Sequence, residues 1–506
     1  MVPQGSATSN DPMPQSVAIT ATRCRGAVSS AVSATLQPLF DALPETPGLA
    51  AIKQSTVRTV YCGRLGDIDL HLKVYRAVTL SDHARDRLRG DRGSREARNL
   101  TKASSLGLQA VEPLACGSFE TDQGRRSFLV TRTVADASPF SFSLPPTVLA
   151  AVGKMLREAH DRGFLPGDLH RGNLVIDAAG TPWLLDLSSV QRAGDPELAS
   201  RAAGLAFLCQ SLDGGPLNRQ AQPLLRSYLG AGTPLPEAFA IRLSQAARQL
   251  RHRQLGQFGR RAQRPCKHTI LERDRRKRRW HLHQIEDNRE ALHAACRDFL
   301  DDLPEPAKRG RRGAVWLLDD LTIKERQQGS ARKLFEAMYW LRFADVPQAE
   351  PVALATGSGK GHVFSRRVHT ANLAEELAAG SLSDNDVASA ATQLGIAVGR
   401  LHAHGLRNRD MKFENLVREP ATGRICMVDL DGVRRKRPSD ARGQGMDLGR
   451  LLAAFRAAGT PGGPATILAF SRSYLRTRKQ LLQKADRRRL WQTAEQRARQ
   501  WATAHS

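Results

Sequence analysis

One loop of this sequence combines residue types that bind a divalent cation with one that accepts a proton from a hydroxyl group. Asp168 is followed five residues later by Asn173, and Asp186 comes next in the apolar run WLLDL. Carboxylate and amide oxygens are hard ligands of the kind that Mg²⁺ prefers. In phosphoryl transfer a loop Asp orients the acceptor hydroxyl, while an Asn and a second Asp hold the metal. The spacing predicts a catalytic Asp168 and metal ligands at Asn173 and Asp186.

The same pattern occurs a second time, 242 residues further along the chain. Asp410 is followed five residues later by Asn415, and Asp429 comes next in the apolar run MVDLD. A lone Asp–Asn pair would be a weak motif, but two complete sets in the same order are much more specific. The repeat predicts two related units. In the second unit we expect Asp410 and Lys412 to be catalytic, with Asn415 and Asp429 as metal ligands.

Each loop is preceded by a strand Lys and a helix Glu that could bind the phosphates of a nucleotide. Lys73 lies in DIDLHLKVY, where apolar and polar residues alternate as in a half-buried strand, and Glu96 lies in the first turns of the next predicted helix, which Ser94 is expected to cap. In kinase-type sites such a Lys contacts the α- and β-phosphates and pairs with the Glu. Lys324 and Glu336 are predicted to take these roles in the second unit. Glu336 follows its Lys by only 12 residues, against 23 in the first unit.

Two stretches resemble the bacterial lipopolysaccharide kinase family, the Kdo and heptose kinases. They are LRGDRGSREARNLTKASSLGLQAVEPL at 88–114 and VDLDGVRR at 428–435, and the resemblance extends over roughly 55–250 and 313–460. It implies an α+β fold with two tandem protein-kinase-like domains, each with a small antiparallel β lobe and a mostly helical lobe. It also implies ATP and Mg²⁺ as cofactors, and the residue roles given above.

The two loops differ in the residue that lies two positions after the catalytic Asp. His170 follows Asp168, as in small-molecule kinases, whereas Lys412 follows Asp410, as in serine/threonine protein kinases. Neither unit contains a G-x-G-x-x-G phosphate loop. We expect a kinase that phosphorylates a sugar hydroxyl of a glycolipid. A serine/threonine protein kinase, a tandem pseudokinase scaffold and a basic nucleic-acid-binding protein are the alternatives.

The net charge of +26 indicates an anionic partner, such as nucleic acid, an anionic membrane surface or a phosphorylated glycolipid, unless it reflects compositional bias alone. The basic run RDRRKRR at 273–279 is followed by only one aromatic residue, Trp280, so base stacking on nucleic acid is poorly supported. The seven Cys are scattered and form no C-x-x-C pair, which is typical of a reducing cytoplasm. No apolar run approaches the roughly 18–20 residues that span a bilayer. We expect a cytoplasmic protein, either free or peripheral at the inner face of the membrane.

Composition divides the chain into five predicted segments. The first, rich in Ser, Thr and Pro, is predicted to be a disordered leader. The segments are a leader at 1–47, a first kinase-like domain at 48–250, a basic linker at 251–300, a second kinase-like domain at 301–475 and a basic C-terminal helix at 476–506.

Overall fold

The protein divides into two compact units, Met1–Ala247 and Arg248–Ser506, in a computed structural model. The residues that the structure describes are 13, 15–55, 57–77, 84, 86, 88, 90–122, 124–194, 196–212, 218–230, 236–284, 289–368, 371–419, 422–436, 440–459, 463–478 and 484–505. No helix in these ranges combines the length and the apolar character needed to cross a bilayer.

The first unit begins with an antiparallel sheet of seven strands. These are β1 (Ser16–Ala18), β2 (Cys24–Ser29), β3 (Leu49–Gln54), β4 (Arg58–Leu65), β5 (Ile68–Arg76), β6 (Pro113–Thr121) and β7 (Gly124–Arg132). Their order across the sheet is β1-β2-β6-β7-β5-β4-β3. In β5 alternate residues from Ile68 to Val74 are buried, because successive side chains of a strand point to opposite faces.

Helices make up most of the rest of this unit. They are α1 (Ser33–Ala42), α2 (Arg92–Ser105), α3 (Pro146–Asp161), α4 (Leu198–Leu208), α5 (Gln222–Leu229) and α6 (Glu237–Arg260), and the boundary between the units falls within α6. Five short strands lie among them: β8 (Ser138–Pro139), β9 (Phe164–Pro166), β10 (Leu174–Ile176), β11 (Pro182–Leu184) and β12 (Val190–Arg192). β9 pairs with β12 and β10 with β11, so both ends of the Asp168 loop and of the Asp186 segment are held by backbone hydrogen bonds.

The second unit has a sheet of the same design. Its strands are β13 (Thr269–Arg273), β14 (Arg279–His283), β15 (Lys308–Gly310), β16 (Gly313–Leu317), β17 (Leu321–Gln327), β18 (Pro351–Gly357) and β19 (Lys360–Arg366). Their order, β13-β14-β18-β19-β17-β16-β15, repeats the order of the first sheet position by position.

The helical part of the second unit is similar to that of the first, with one more described helix and one fewer short strand. Its helices are α7 (Arg289–Asp301), α8 (Gln328–Phe343), α9 (Leu373–Ala378), α10 (Asp384–Ala403), α11 (Ala441–Ala457), α12 (Gly463–Arg478) and α13 (Lys484–His505). Its short strands are β20 (Leu406–Asn408), β21 (Leu416–Arg418), β22 (Ile425–Met427) and β23 (Val433–Arg435). The predicted fold class, α+β with two tandem units that each have an antiparallel β part and a helical part, is confirmed.

In each unit, the helix that precedes the catalytic-loop motif packs closely against a later helix at a Gly. A Cβ at Gly153 of α3 would lie 2.2 Å from the carbonyl oxygen of Leu224 in α5, and a Cβ at Gly395 of α10 would lie 2.5 Å from that of Phe470 in α12. Such distances are too short for any side chain, so the missing Cβ atoms permit these helix pairs.

The last turns of α3 and α10 each contain a buried His that contacts a Tyr of the helix packed against it. His160 Nδ1 lies 2.8 Å from Tyr228 Oη, and His402 Nδ1 lies 2.9 Å from Tyr474 Oη. Burial, with a smaller contribution from Arg201, lowers the pKa of His160 to about 4. The ring of His160 is therefore neutral at pH 7.

Three predicted segment boundaries differ from the described structure. In the predicted disordered leader, β1 and β2 extend the first sheet, and α1 buries Leu36, Leu39 and Phe40. In the predicted linker, β13 and β14 belong to the second sheet, because Trp280 and Leu282 are buried in its core. The terminal helix α13 also packs into the second unit, where α11 contacts it through Gly445 and Gly449. Apolar residues spaced among Arg and Ser residues explain why composition alone was misleading.

Candidate active site

The strand lysine of the first unit is paired with the predicted helix glutamate. Lys73 Nζ donates a hydrogen bond to Glu96 Oε1 at 2.5 Å, and the Glu96 side chain is fully buried. Tyr75 Oη donates to the other oxygen, Glu96 Oε2, at 2.6 Å. Burial and the nearby Glu96 raise the pKa of Tyr75 well above its ordinary value, so the phenol remains a donor. The structure thus brings Lys73 and Glu96 together as expected from the sequence.

Lys73 also connects this pair to the Asp186 segment. Its Nζ donates to the carbonyl oxygen of Leu185 at 3.1 Å. Asp186 itself accepts from Arg58 Nη1 through Oδ2 at 2.5 Å and from the backbone amide of Ser188 through Oδ1 at 3.2 Å. Burial opposes ionisation of Asp186, but the charges of Lys73 and Arg58 outweigh it and hold the pKa of this carboxyl well below its usual range. Asp186 is therefore a carboxylate at neutral pH.

The loop of the first unit presents Asp168 to solvent and fixes Asn173. The Asp168 side chain is 46% exposed, so an incoming hydroxyl can reach it. Asn173 Nδ2 donates a hydrogen bond to the backbone oxygen of Asp168 at 2.8 Å, which links the first and last residues of the Asp168–Asn173 loop. His170 Nδ1 accepts from the amide of Gly172 at 3.0 Å, and its Nε2 lies 3.9 Å from Asp168 Oδ2. His170 thus shapes the loop and faces the candidate base.

In the second unit the strand lysine contacts the second Asp directly. Lys324 Nζ donates to Asp429 Oδ1 at 3.0 Å, and the amide of Asp431 donates to the same oxygen at 3.1 Å. Arg326, two residues after Lys324, donates to Asp431 Oδ2 at 2.6 Å. Burial opposes ionisation of Asp429, but Lys324 outweighs it and lowers the pKa of this carboxyl.

The loop of the second unit has the same geometry as that of the first. Asn415 Nδ2 donates to the backbone oxygen of Asp410 at 2.9 Å and to its Oδ2 at 3.1 Å. The Lys412 side chain is exposed and makes no hydrogen bond or ion pair with any described residue, while its backbone oxygen accepts from the amide of Asn415 at 3.0 Å. An exposed lysine two residues after Asp410 is free to contact a transferred phosphate.

The second unit has a leucine where the first has its helix glutamate. Ala110 and Gln348 form equivalent parallel bridges, each to the short strand that precedes the second Asp. The residue three positions before each bridge adopts a left-handed conformation, so the connecting turns match in length. Counting back 14 residues from each bridge reaches Glu96 in the first unit and Leu334 in the second. Leu334 is 4% exposed and offers Lys324 no charge.

Glu336, which the sequence assigned as the partner of Lys324, makes no ion pair with that lysine. It lies two residues beyond Leu334 on α8, which is about 200° further around the helix. There it approaches Gly259 and the charge of Arg435. Burial raises the pKa of Glu336, and the positive charges of Arg435 and Arg260 only partly oppose this.

The side chains on each loop have the chemistry of Mg²⁺ ligands. In Asn173 and Asn415 the amide nitrogen is used by the loop, which leaves the side-chain oxygen for a cation. Asp429 Oδ2 accepts no hydrogen bond from the described residues, whereas both oxygens of Asp186 are engaged. A site of one Asn and one Asp suits a hard cation that keeps several waters. No cluster of three or more His, Cys, Asp or Glu side chains that could hold a metal occurs in the described part of the chain.

Sequence reasoning missed the arginines that bind the two acidic segments. Arg58 lies on β4, opposite Tyr75, and reaches Asp186 across 128 residues of sequence. In the second unit the arginine comes from β17 instead, as Arg326, and reaches Asp431. Only the strand pairing shows which arginines in so basic a chain face these segments.

Comparisons with known proteins show similarity only at the level of solved structures. No protein-family model and no curated protein matches the chain. One similar structure, described as WaaP in complex with acyl carrier protein, is 17% identical, with 39% of this chain and 86% of that chain covered and a TM-score of 0.29. A choline/ethanolamine kinase family protein from Mesorhizobium loti is 16% identical, with 45% and 86% covered and a TM-score of 0.30. At these scores the likenesses carry no functional argument.

Proposed function

We propose that the chain is an ATP-dependent phosphotransferase, with the donor site of the first unit formed by Lys73, Glu96 and Asp186. The observation that carries this proposal is the buried contact between Lys73 and Glu96. A charged pair is costly to bury and demands a reason beyond stability. Holding a lysine ready for the α- and β-phosphates of ATP is such a reason.

The proposed reaction is an in-line transfer of the γ-phosphoryl group. The acceptor hydroxyl oxygen forms a bond to the γ-phosphorus, the bond to the β–γ bridging oxygen breaks, and ADP leaves. Asp168 orients the hydroxyl and accepts its proton. Lys73 stabilises the charge on the α- and β-phosphates, and Glu96 keeps Lys73 in place.

Magnesium would be held by Asn173 and Asp186 and would supply charge neutralisation at the β- and γ-phosphates. The ionised state of Asp186 supports this assignment. Arg58 must then release Asp186 Oδ2 or share it with the cation, because the two compete for one oxygen.

The acceptor that we propose is a sugar hydroxyl of an anionic glycolipid. Two features support it: the sequence resemblance at 88–114, and the net charge of +26, which favours anionic partners and contact with anionic membrane surfaces. Asp168 is half-exposed, so an acceptor larger than a metabolite can reach it. A protein acceptor is the second candidate, favoured by the exposed Lys412 of the other loop.

We propose a secondary role for the second unit. Its Asp410 and Asn415 are joined as Asp168 and Asn173 are in the first unit, but Leu334 leaves Lys324 without a helix carboxylate. Such a site can bind a nucleotide, yet it lacks the helix carboxylate that would hold the lysine away from Asp429. We therefore expect slow turnover or a regulatory role.

Transfer of radiolabelled phosphate from ATP tests this function. The purified full chain is incubated with Mg²⁺ and either glycolipid or a generic protein acceptor. Asp168→Asn is the control that should be inactive, and because the Asp168 side chain is half-exposed, the substitution should not disturb folding. We expect label on the glycolipid and at least about 10²-fold less with Asp168→Asn. Equal labelling by the two proteins would overturn the assignment of Asp168, and label on protein alone would overturn the acceptor.

A further inference from the structure

A cavity of about 1310 Å³ adjoins the candidate site of the first unit. It is lined by the ends of β5 and β7, by the start of α2 and by Ser188 and Ser189, which follow Asp186. The amide of Gly167, next to Asp168, donates to the carbonyl oxygen of Ser189 at 2.8 Å. The cavity wall is thus joined to both acidic segments of the site, while Lys73 and Asp186 do not line it.

The lining of this cavity is strongly basic. Its described residues include five arginines and two aspartates, which together carry a net charge of +3. Both aspartates already have partners: Asp86 is ion-paired with Arg95 at 3.0 Å, and Asp91 caps α2 by accepting from the amide of Ser94 at 2.9 Å. The remaining arginines are Arg76, Arg92, Arg125 and Arg126.

Two of these arginines lie next to each other on neighbouring strands. Arg76 on β5 lies directly opposite Arg126 on β7, and like charges in that position destabilise a sheet. Arg76 Nε is buried without a hydrogen-bond partner among the described residues. Arg76, Arg92 and Arg125 form no ion pair with a carboxylate within the described ranges; Arg92 packs over the Tyr75 ring instead, 5.1 Å from its centroid.

We propose that this cavity binds a phosphate group that belongs to the acceptor rather than to ATP. Arginine is the residue best suited to bind phosphate, through its fork of donors. Ser118 and Ser127 of the same lining carry neutral hydroxyl groups beside them, and Ser118 Oγ accepts from Arg125 Nη2 at 2.7 Å. The assignment to an acceptor rests on the proposed function, whereas the affinity for phosphate does not. The class of substrate is then an already phosphorylated molecule whose free hydroxyl reaches Asp168.

Equilibrium dialysis of the full chain against radiolabelled inorganic phosphate tests this site. Dialysis is run with and without a saturating, non-hydrolysable ATP analogue and Mg²⁺, so that phosphate bound in place of ATP is displaced. We expect binding to persist with the analogue, and Arg125→Gln and Arg126→Gln each to raise the Kd for phosphate about tenfold, since each removes a charge-assisted hydrogen bond. Arg125 is exposed, so its variant folds, and Arg219→Gln on the helical part is the matched control.

Two results would overturn the proposal. If the analogue displaces the phosphate, the cavity holds the phosphates of the donor nucleotide. If Arg125→Gln binds phosphate as tightly as Arg219→Gln, the cavity is not a phosphate site. Failure of the analogue itself to bind would count against the proposed function, while the dialysis without the analogue would still decide the affinity of the cavity.

Discussion

Arg58 Nη1 lies 2.5 Å from Asp186 Oδ2, so an arginine of the sheet holds the carboxylate that we propose as a metal ligand. The Asp186 side chain is 9% exposed and that of Arg58 is 21% exposed, which limits screening by water. If Asp186 binds Mg²⁺ as proposed, the arginine and the metal compete for the same oxygen. Arg58 is then expected to raise the Mg²⁺ concentration that the first unit needs.

Replacing Arg58 should lower the Mg²⁺ concentration that the first unit needs for phosphotransfer. A hydrogen bond to a charged group contributes about 1.5–3 kcal/mol, and Arg58→Gln removes that competition. We expect the Mg²⁺ concentration for half-maximal phosphotransfer to fall about tenfold, measured by titrating Mg²⁺ at fixed ATP. Arg64→Gln, at the other end of β4 in an exposed pair with Asp69, is the control. An unchanged Mg²⁺ requirement in Arg58→Gln would show that the two cations do not compete.

Replacing Glu96 by the residue of the second unit should destabilise the protein. Glu96→Leu leaves Lys73 buried without its partner and removes the acceptor of Tyr75 Oη. Breaking a buried pair in this way costs about 3–5 kcal/mol. We expect the free energy of unfolding, from urea titration, to fall by that amount.

Glu336→Leu is the matched control for this change. Glu336 makes no ion pair with Lys324, and burial already raises its pKa. We expect its free energy of unfolding to change by less than about 1 kcal/mol, as for substitutions away from such features. Equal losses in the two variants would refute the different roles that the structure gives the two glutamates.

The structure brings together the candidate residues that lie close to one another in the sequence. Asp168 and Asn173 lie in one run, and the short strands on either side place Asp186 beside them. The number of residues between the strand lysine and the helix differs between the two units. In the second unit α8 begins directly after β17, whereas in the first unit 15 residues separate β5 from α2. The sequence offered Glu336 as the carboxylate on the helix after Lys324, whereas the position that matches Glu96 is Leu334.

The arginine contacts could not be predicted, because they depend on strand pairing. The partners Arg58 and Asp186 are 128 residues apart, and the chain holds 76 Lys and Arg residues from which to choose. Cross-strand register decides which of them faces the cleft, and it is set by the fold as a whole.

Acid should destabilise the first unit through His160. Its native pKa of about 4 lies below the ordinary value of 6.5, so the unfolded chain binds the proton more tightly. Stability from the neutral ring is complete above pH 6.5 and is lost as the pH falls towards 4, by about 3 kcal/mol in total. Urea unfolding between pH 7 and 4 measures this loss. His160→Gln should flatten the pH dependence and His170→Gln should not; identical profiles for the two variants would contradict the burial of a neutral His160.

A methyl group at Gly153 should force α3 and α5 apart. The new Cβ would lie 2.2 Å from the carbonyl oxygen of Leu224, and overpacking of this kind costs about 1–3 kcal/mol. We expect Gly153→Ala to lower the free energy of unfolding by that amount. Gly194→Ala, with no atom within 4 Å of its Cβ position, should leave it unchanged. A neutral Gly153→Ala would mean that the helices do not meet at this glycine.

The central claim, that the first unit is the main phosphotransfer site, is tested most directly by comparing Asp186→Ala with Asp429→Ala. Turnover of ATP with transfer to glycolipid is measured for the full-length variants at saturating Mg²⁺. We expect Asp186→Ala to lose at least about 10³-fold, the scale of losing a key charge-stabilising group, and Asp429→Ala to keep most of the activity. Loss of activity in Asp429→Ala with full activity in Asp186→Ala would contradict the claim.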